Sequence, residues 1–187
     1  MTKAQLLAPV AVAFFFAFQV NAQDSNTDNH EITVVVPNVA LLDLESSVSK
    51  SFTATFAQAT PLEAGEKVTV PVNNSDLWLN YSSIIPSSVT ARTVQVKTSA
   101  VLPGVGVAVV AATATNDGSG TLGTPTATVT LTTADQPVVT GIGSAYTKTG
   151  PASGHQLTYS FTALDADYAA LRAGTTAITV TYTLVDN

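Results

Sequence analysis

The sequence contains no cysteine. That excludes a disulfide framework, a thiolate metal site, a cysteine nucleophile and a lipid-modified N-terminal cysteine. Charge is also scarce: Asp, Glu, Lys and Arg make up 11% of the residues, less than half the roughly 25% usual in soluble domains. Seven Lys and Arg oppose thirteen Asp and Glu, giving a net charge of −6, and no basic run interrupts the pattern. Such a chain repels nucleic acid and anionic lipid, so no nucleic-acid partner is expected. Histidine occurs twice and tryptophan once, which leaves few candidates for catalysis or ring stacking.

Long apolar stretches are limited to one. Leu6 to Phe18 is a 13-residue run containing Phe14, Phe15 and Phe16, short of the roughly 20 residues a spanning helix needs. Lys3 precedes it, and Val20-Asn21-Ala22 places small or modest residues at the −3 and −1 positions before Gln23. This is the pattern of a secretory signal peptide. Residues 1–22 are expected to be cleaved, with no membrane insertion afterwards and an extracellular, cell-surface or periplasmic location. The mature chain then has 187 − 22 = 165 residues, and losing Lys3 leaves six cationic side chains against thirteen acidic ones, about −7. A chain of this size can bury a sizeable core without sulfur bridges.

What remains is rich in Thr, Val and Ala. Gln23 to His30 is polar and aperiodic, as a flexible N-terminal arm would be. From Glu31 onward the apolar residues recur with period two, the strand signature. Ile32, Val34 and Val36 form the first such run, and Val39 to Leu44 and Val48 to Phe56 follow it. Val68 to Val72, Asp76 to Ser82, Val89 to Thr98, Val105 to Thr115, Thr126 to Thr132, Val138 to Ile142, His155 to Phe161 and Ile178 to Leu184 continue the series. Turn residues separate these runs, notably Asn73-Asn74-Ser75 and Asn116-Asp117-Gly118-Ser119-Gly120. Helix is expected only as a turn or two near Leu164–Leu171, closed by Gly174. Nine or ten short strands in a single domain over residues 31–187 predict an all-β fold, an antiparallel β-sandwich of immunoglobulin-like or pilin-like type.

Motifs that carry chemistry are missing. There is no nucleophile elbow, no H-E-x-x-H pair and no phosphate-cradling glycine loop; Gly104-Val105-Gly106 and Gly141-Ile142-Gly143 read as turns or bulges. His30 lies in the arm and His155 follows a Ser-Gly turn, so both read as solvated. Asp43 and Glu45 share one face of a strand, but a glycosidase pair must flank a cleft. Asp165 and Asp167 fall short of the six to eight oxygens that Ca²⁺ takes. Neither a cofactor nor a metal site is expected. Trp78 and Asn80 share one strand face and Tyr81 the other. Trp78 therefore reads first as a core aromatic, and second, with Asn80 and the neighbouring loops, as a sugar-binding site.

The closing stretch, Leu171-Arg172-Ala173-Gly174-Thr175-Thr176-Ala177-Ile178-Thr179-Val180-Thr181-Tyr182, resembles the end of secreted bacterial pilin-like β-sandwiches, the spore-coat-U-type fimbrial subunits. Asp76 to Ser82 and Gly141 to Tyr146 are similar to segments of small secreted β-proteins. That family typically carries cysteines, which this chain lacks. The resemblance implies a subunit whose groove is filled by a neighbour's N-terminal strand. Ile32, Val34 and Val36 could be such a donor strand or the domain's own first strand. The function expected is a non-enzymatic structural or adhesive surface protein, a fimbrial or filament-type subunit with itself or other surface proteins as partner. The alternative is an extracellular carbohydrate-binding module using Trp78, with a glycan as ligand.

Overall fold

Alternation of Val, Leu and aromatic residues with Thr, Ser and Asn gives each segment one face to bury and one to solvate. In a computed structural model, which describes residues 26–115 and 118–187, nine strands realise that pattern. The expected leader, Met1–Ala22, and Asn116-Asp117 of the expected turn lie outside the described residues. The strands are β1 (Val39–Ser46), β2 (Asn74–Ile84), β3 (Arg92–Thr98), β4 (Val105–Ala111), β5 (Ser119–Pro125), β6 (Val129–Thr130), β7 (Gln136–Tyr146), β8 (His155–Ala163) and β9 (Val180–Asp186). One turn of 3-10 helix, Tyr168–Ala170, falls inside the expected helical stretch. The fold is all-β, and every ladder is antiparallel.

The nine strands form one hydrogen-bonded sheet that folds over on itself. Along its main path the order is β6-β4-β8-β2-β7-β3-β9, with β1 added to β2 and β5 added to β7. The fold-over occurs within β2. Leu77, Trp78 and Leu79 pair with β8, whereas Ser82 and Ser83 pair with β7. Leu77, Leu79 and Tyr81 on β2 meet Val94 and Val96 on β3, Val138, Val139 and Ile142 on β7, and Leu157, Tyr159 and Phe161 on β8 in one buried cluster. Tyr159 on β8 and Tyr182 on β9 share a 2.7 Å hydrogen bond although their strands form no ladder, so the two layers face each other.

The chain divides into two units, Met1–Val35 and Val36–Asn187. In the first, Asn26–Val35 holds no strand, and Ile32 and Val34 are 73% and 79% exposed. In the second, Val36 is 67% exposed and the first strand starts at Val39. The expected first strand at Ile32–Val36 is therefore absent from the sheet. Alternation equips a segment to pair, but a strand exists only where a neighbour supplies the other half of the ladder.

Val48 to Phe56 and Val68 to Val72 also form no strand; between β1 and β2 there is only an isolated bridge, Ala57 to Thr69. Phe52, Ala54 and Phe56 keep their period-two face. Phe52 meets the rings of Tyr159 and Phe161 edge-on at 5.4 and 6.3 Å, and Ala54 and Phe56 pack against the core. The segment covers the core by side-chain contact without joining the ladder. Lys67 Nζ donates to Ala163 O at 2.7 Å and pairs with Asp165, which ties this excursion to the end of β8.

Two further expectations need correction. Ser119–Pro125, rich in Gly and Thr, forms β5 because β7 offers it a partner along residues 139–146, while Thr126 to Thr132 contributes only the two-residue β6. Gly141-Ile142-Gly143 is not a turn but lies inside the continuous strand β7, where the register against β3 shifts between Ile142 and Val139 and Gly141 takes a positive φ of 72°, the bulge of the two expected readings.

Truncating the fully buried Leu157 to Ala should cost about 3 kcal/mol. The same change at Leu62, 75% exposed, should stay within about 0.5 kcal/mol. Urea unfolding of the two variants measures the difference.

Candidate functional site

Among the described residues the sheet has four free edges: β1, β5, β6 and β9 each pair with a single neighbour. Free edges recruit foreign strands unless they are blunted. Two of the four are blunted. β5 has a register break between Gly120 and Leu122, positive φ at Gly120 (91°) and Gly123 (75°), and ends in Pro125. β6 is two residues long. The other two are regular. β1 pairs with β2 through eight consecutive residues and β9 with β3 through seven, without a bulge, and neither contains Lys or Pro.

β1 and β9 also approach each other. Their inward residues, Leu42 and Leu44 on β1 and Val180, Tyr182 and Leu184 on β9, pack against the core but remain only half-buried. The result is an apolar seam between two regular edges. Arg92, whose side chain is 1% exposed, clasps one end of it. Its Nε donates to Asp186 of β9 at 2.6 Å. One terminal nitrogen donates to the Val39 carbonyl of β1 and to Ser83 Oγ of β2 at 3.1 Å; the other donates to Asn38 Oδ1 at 2.7 Å. The planar fork of a guanidinium suits this divergent set of acceptors, which a lysine ammonium would not span. Arg92 precedes Val94 and Val96 in the inward parity of β3, the signal in sequence that it points into the fold.

A second buried network surrounds His155, which is not solvated but fully enclosed. It shares inward parity with Leu157, Tyr159 and Phe161, and that parity could have placed it correctly. Nδ1 donates to the Ala112 carbonyl at 2.8 Å, Nε2 lies 3.0 Å from Tyr81 Oη, and Tyr81 Oη also reaches the Leu122 carbonyl. With Nδ1 protonated and the ring neutral, a single phenol proton serves two acceptors, Nε2 and Leu122 O. Burial pushes the imidazole below its ordinary range, although the two carbonyls act in the opposite direction. Burial likewise raises the Tyr81 phenol far above normal. The group is closed to solvent and ties β2, β5 and β8 together.

The remaining singled-out residues do not converge. Trp78 lies on the outer face of β2, half-buried and outside the core cluster, because Leu77, Leu79 and Tyr81 occupy the inward parity. Asn80 shares the outer face but is 4% exposed, with Nδ2 donating to Gly150 O at 2.9 Å, which withdraws it from any exposed sugar-binding surface. Asp43 pairs with Lys50 at 3.0 Å, which holds its carboxyl below the usual range, and Glu45 sits opposite Trp78. His30 is exposed in the segment before β1. Among the described residues no three His, Asp or Glu side chains gather as metal ligands would. No family model matches the chain, and no curated protein or solved structure matches it either.

Arg92→Leu should lower stability by about 3 kcal/mol, since it strips a charged donor from four acceptors; guanidinium unfolding monitored by circular dichroism measures it. The imidazole of His155 protonates less readily in the folded chain than in the unfolded one. Its contribution is therefore complete above about pH 6.5 and is lost as pH falls toward the folded value. Thermal midpoints should decline from pH 7 to pH 5 in the wild type and more shallowly in His155→Gln. At alkaline pH the sign reverses, because burial holds Tyr159 up at about 12, and Tyr81 and Tyr182 higher still. Stability should fall above about pH 10 as the unfolded tyrosines ionise, and ultraviolet titration should show these three phenols still protonated at about pH 11 until the protein unfolds.

Proposed function

We propose that this protein is a non-enzymatic, secreted structural subunit that assembles with copies of itself by strand addition. The segment Ile32–Val36 of one copy lies in the β1/β9 seam of the next. The observation that carries the reading is an exposed, alternating apolar segment with no ladder among the described residues, in a chain whose two regular edges border a half-buried apolar seam. Strand addition draws affinity from main-chain hydrogen bonds and specificity from alternate side chains. Ile32, Val34 and Val36 supply three apolar side chains at the spacing of Val180, Tyr182 and Leu184. Thr33 and Val35 would face outward.

Donor and acceptor are different surfaces of the chain. The contact is therefore head-to-tail, and its natural product is an open filament rather than a closed dimer. Secretion rests on the leader-like N-terminus, and the low charge and hydroxyl-rich strands suit a surface that works by contact.

Size-exclusion chromatography and negative-stain microscopy of the secreted protein test this. Concentration-dependent oligomers or filaments are expected. Val34→Asp, which places a charge where an apolar pocket must receive it, should weaken association by about 30-fold or more with an unchanged thermal midpoint. A strictly monomeric wild type at every concentration, or assembly undiminished in Val34→Asp, would contradict the proposal.

A further inference from the structure

On the outer face, where β2 leaves β8 for β7, the ladders align Leu41, Ser82, Tyr146 and Ser119 in one row across β1, β2, β7 and β5. Neighbouring strands lie about 4.8 Å apart, so the row spans about 14 Å. With Ile84 and Ser144 beside it, the row lines a shallow concavity of about 550 Å³. Tyr146 is 48% exposed and Leu41 65%. No charged residue lines the surface. The hydroxyls of Ser82, Ser119 and Tyr146 engage no other group among the described residues, and Ser144 Oγ accepts the Ile85 N–H at 3.2 Å and keeps its own proton to donate.

We infer that this row is a binding site for a neutral sugar, with Tyr146 as the stacking platform. A sugar ring has an apolar face of C–H groups and an equatorial rim of hydroxyls. An exposed phenol ring suits the first, and the serine hydroxyls that both donate and accept, Ser82 and Ser119 about 10 Å apart on either side of it, suit the second. Anionic ligands find no cation in the lining and meet a negatively charged chain. A protein partner needs a wider surface: ten residues line the concavity, against roughly 20–30 a side in a stable interface. The volume falls within the roughly 300–1,000 Å³ of small-ligand sites. The register shift between Gly120 and Leu122 borders the row and puts the extra residue on β7, next to Ser144, a device common beside binding sites. The site shares β1 with the proposed seam through Leu41, but its stacking residue, Tyr146, belongs to β7 and its hydroxyls to β2, β5 and β7. It is separate from Trp78, which lies four residues, about 13 Å, from Ser82 along β2.

Saturation-transfer NMR of the secreted protein with maltohexaose, cellohexaose, chitohexaose and mannohexaose, each at about 5 mM, tests the inference. At least one should give transfer to its ring protons. Tyr146→Ala should weaken that oligosaccharide at least about tenfold, with circular dichroism and thermal midpoint unchanged. Trp78→Phe should bind as wild type. Val34→Asp should bind normally even where it abolishes assembly, so failure of one proposal is distinguishable from failure of the other. Absence of transfer with all four sugars, binding unaffected by Tyr146→Ala, loss of binding in Trp78→Phe instead, or a Tyr146→Ala effect on oligomeric state alone would each overturn the assignment.

Discussion

One strand belongs to both layers of this fold. β2 bonds to β8 through Leu77, Trp78 and Leu79 and to β7 through Ser82 and Ser83, so a single ladder becomes a sandwich without a second, separate sheet. Its inward residues, Leu77, Leu79 and Tyr81, are all 3% exposed or less, and every other core element packs around them. The strand's other edge carries β1 through eight regular pairs. Where β2 turns from one layer to the other, β1 is carried toward β9, and the seam between them follows from that geometry. In the absence of cysteine, polar clasps hold the corners. Arg92 joins β1, β2, β3 and β9, and His155 with Tyr81 joins β2, β5 and β8.

Both clasps use a buried polar group where a disulfide-bonded domain would use sulfur. Each makes the local geometry specific, because the acceptors must lie where a guanidinium fork or an imidazole can reach them. The His155 cluster is one proton short when its ring is neutral, so its bonding depends on pH in a way that a purely apolar corner would not. The Arg92 clasp fixes the end of the seam where the polypeptide enters β1.

The sequence made the class of fold legible, because side-chain parity is a local property. Leu77-Trp78-Leu79-Asn80-Tyr81, Val94-Gln95-Val96 and Leu157 to Phe161 announce strands without reference to anything distant. Pairing is not local, and every discrepancy arises there. Ile32–Val36 and Val48–Phe56 have strand parity but no ladder, whereas Ser119–Pro125 lacks parity and becomes a strand because β7 runs beside it. His155 carried the signal in its parity with Leu157, Tyr159 and Phe161, but its place after a Ser-Gly turn argued for the surface; Arg92 carried the same signal beside Val94 and Val96. Tyr146 carried no such signal, since its place beside Leu41, Ser82 and Ser119 depends on four strands meeting in register.

The proposed assembly follows from an imbalance between edges. Evolved sheets blunt their edges with bulges, prolines or brevity, as β5 and β6 do here, yet β1 and β9 remain regular beside an incompletely covered apolar seam. Amide hydrogen exchange, resolved by residue and compared between dilute and concentrated protein, reads this imbalance most directly. Slow exchange at Thr33 and Val35, together with new protection along β9, should appear only in the concentrated sample. Thr33 and Val35 exchanging as free chain in a sample that has assembled would contradict the account.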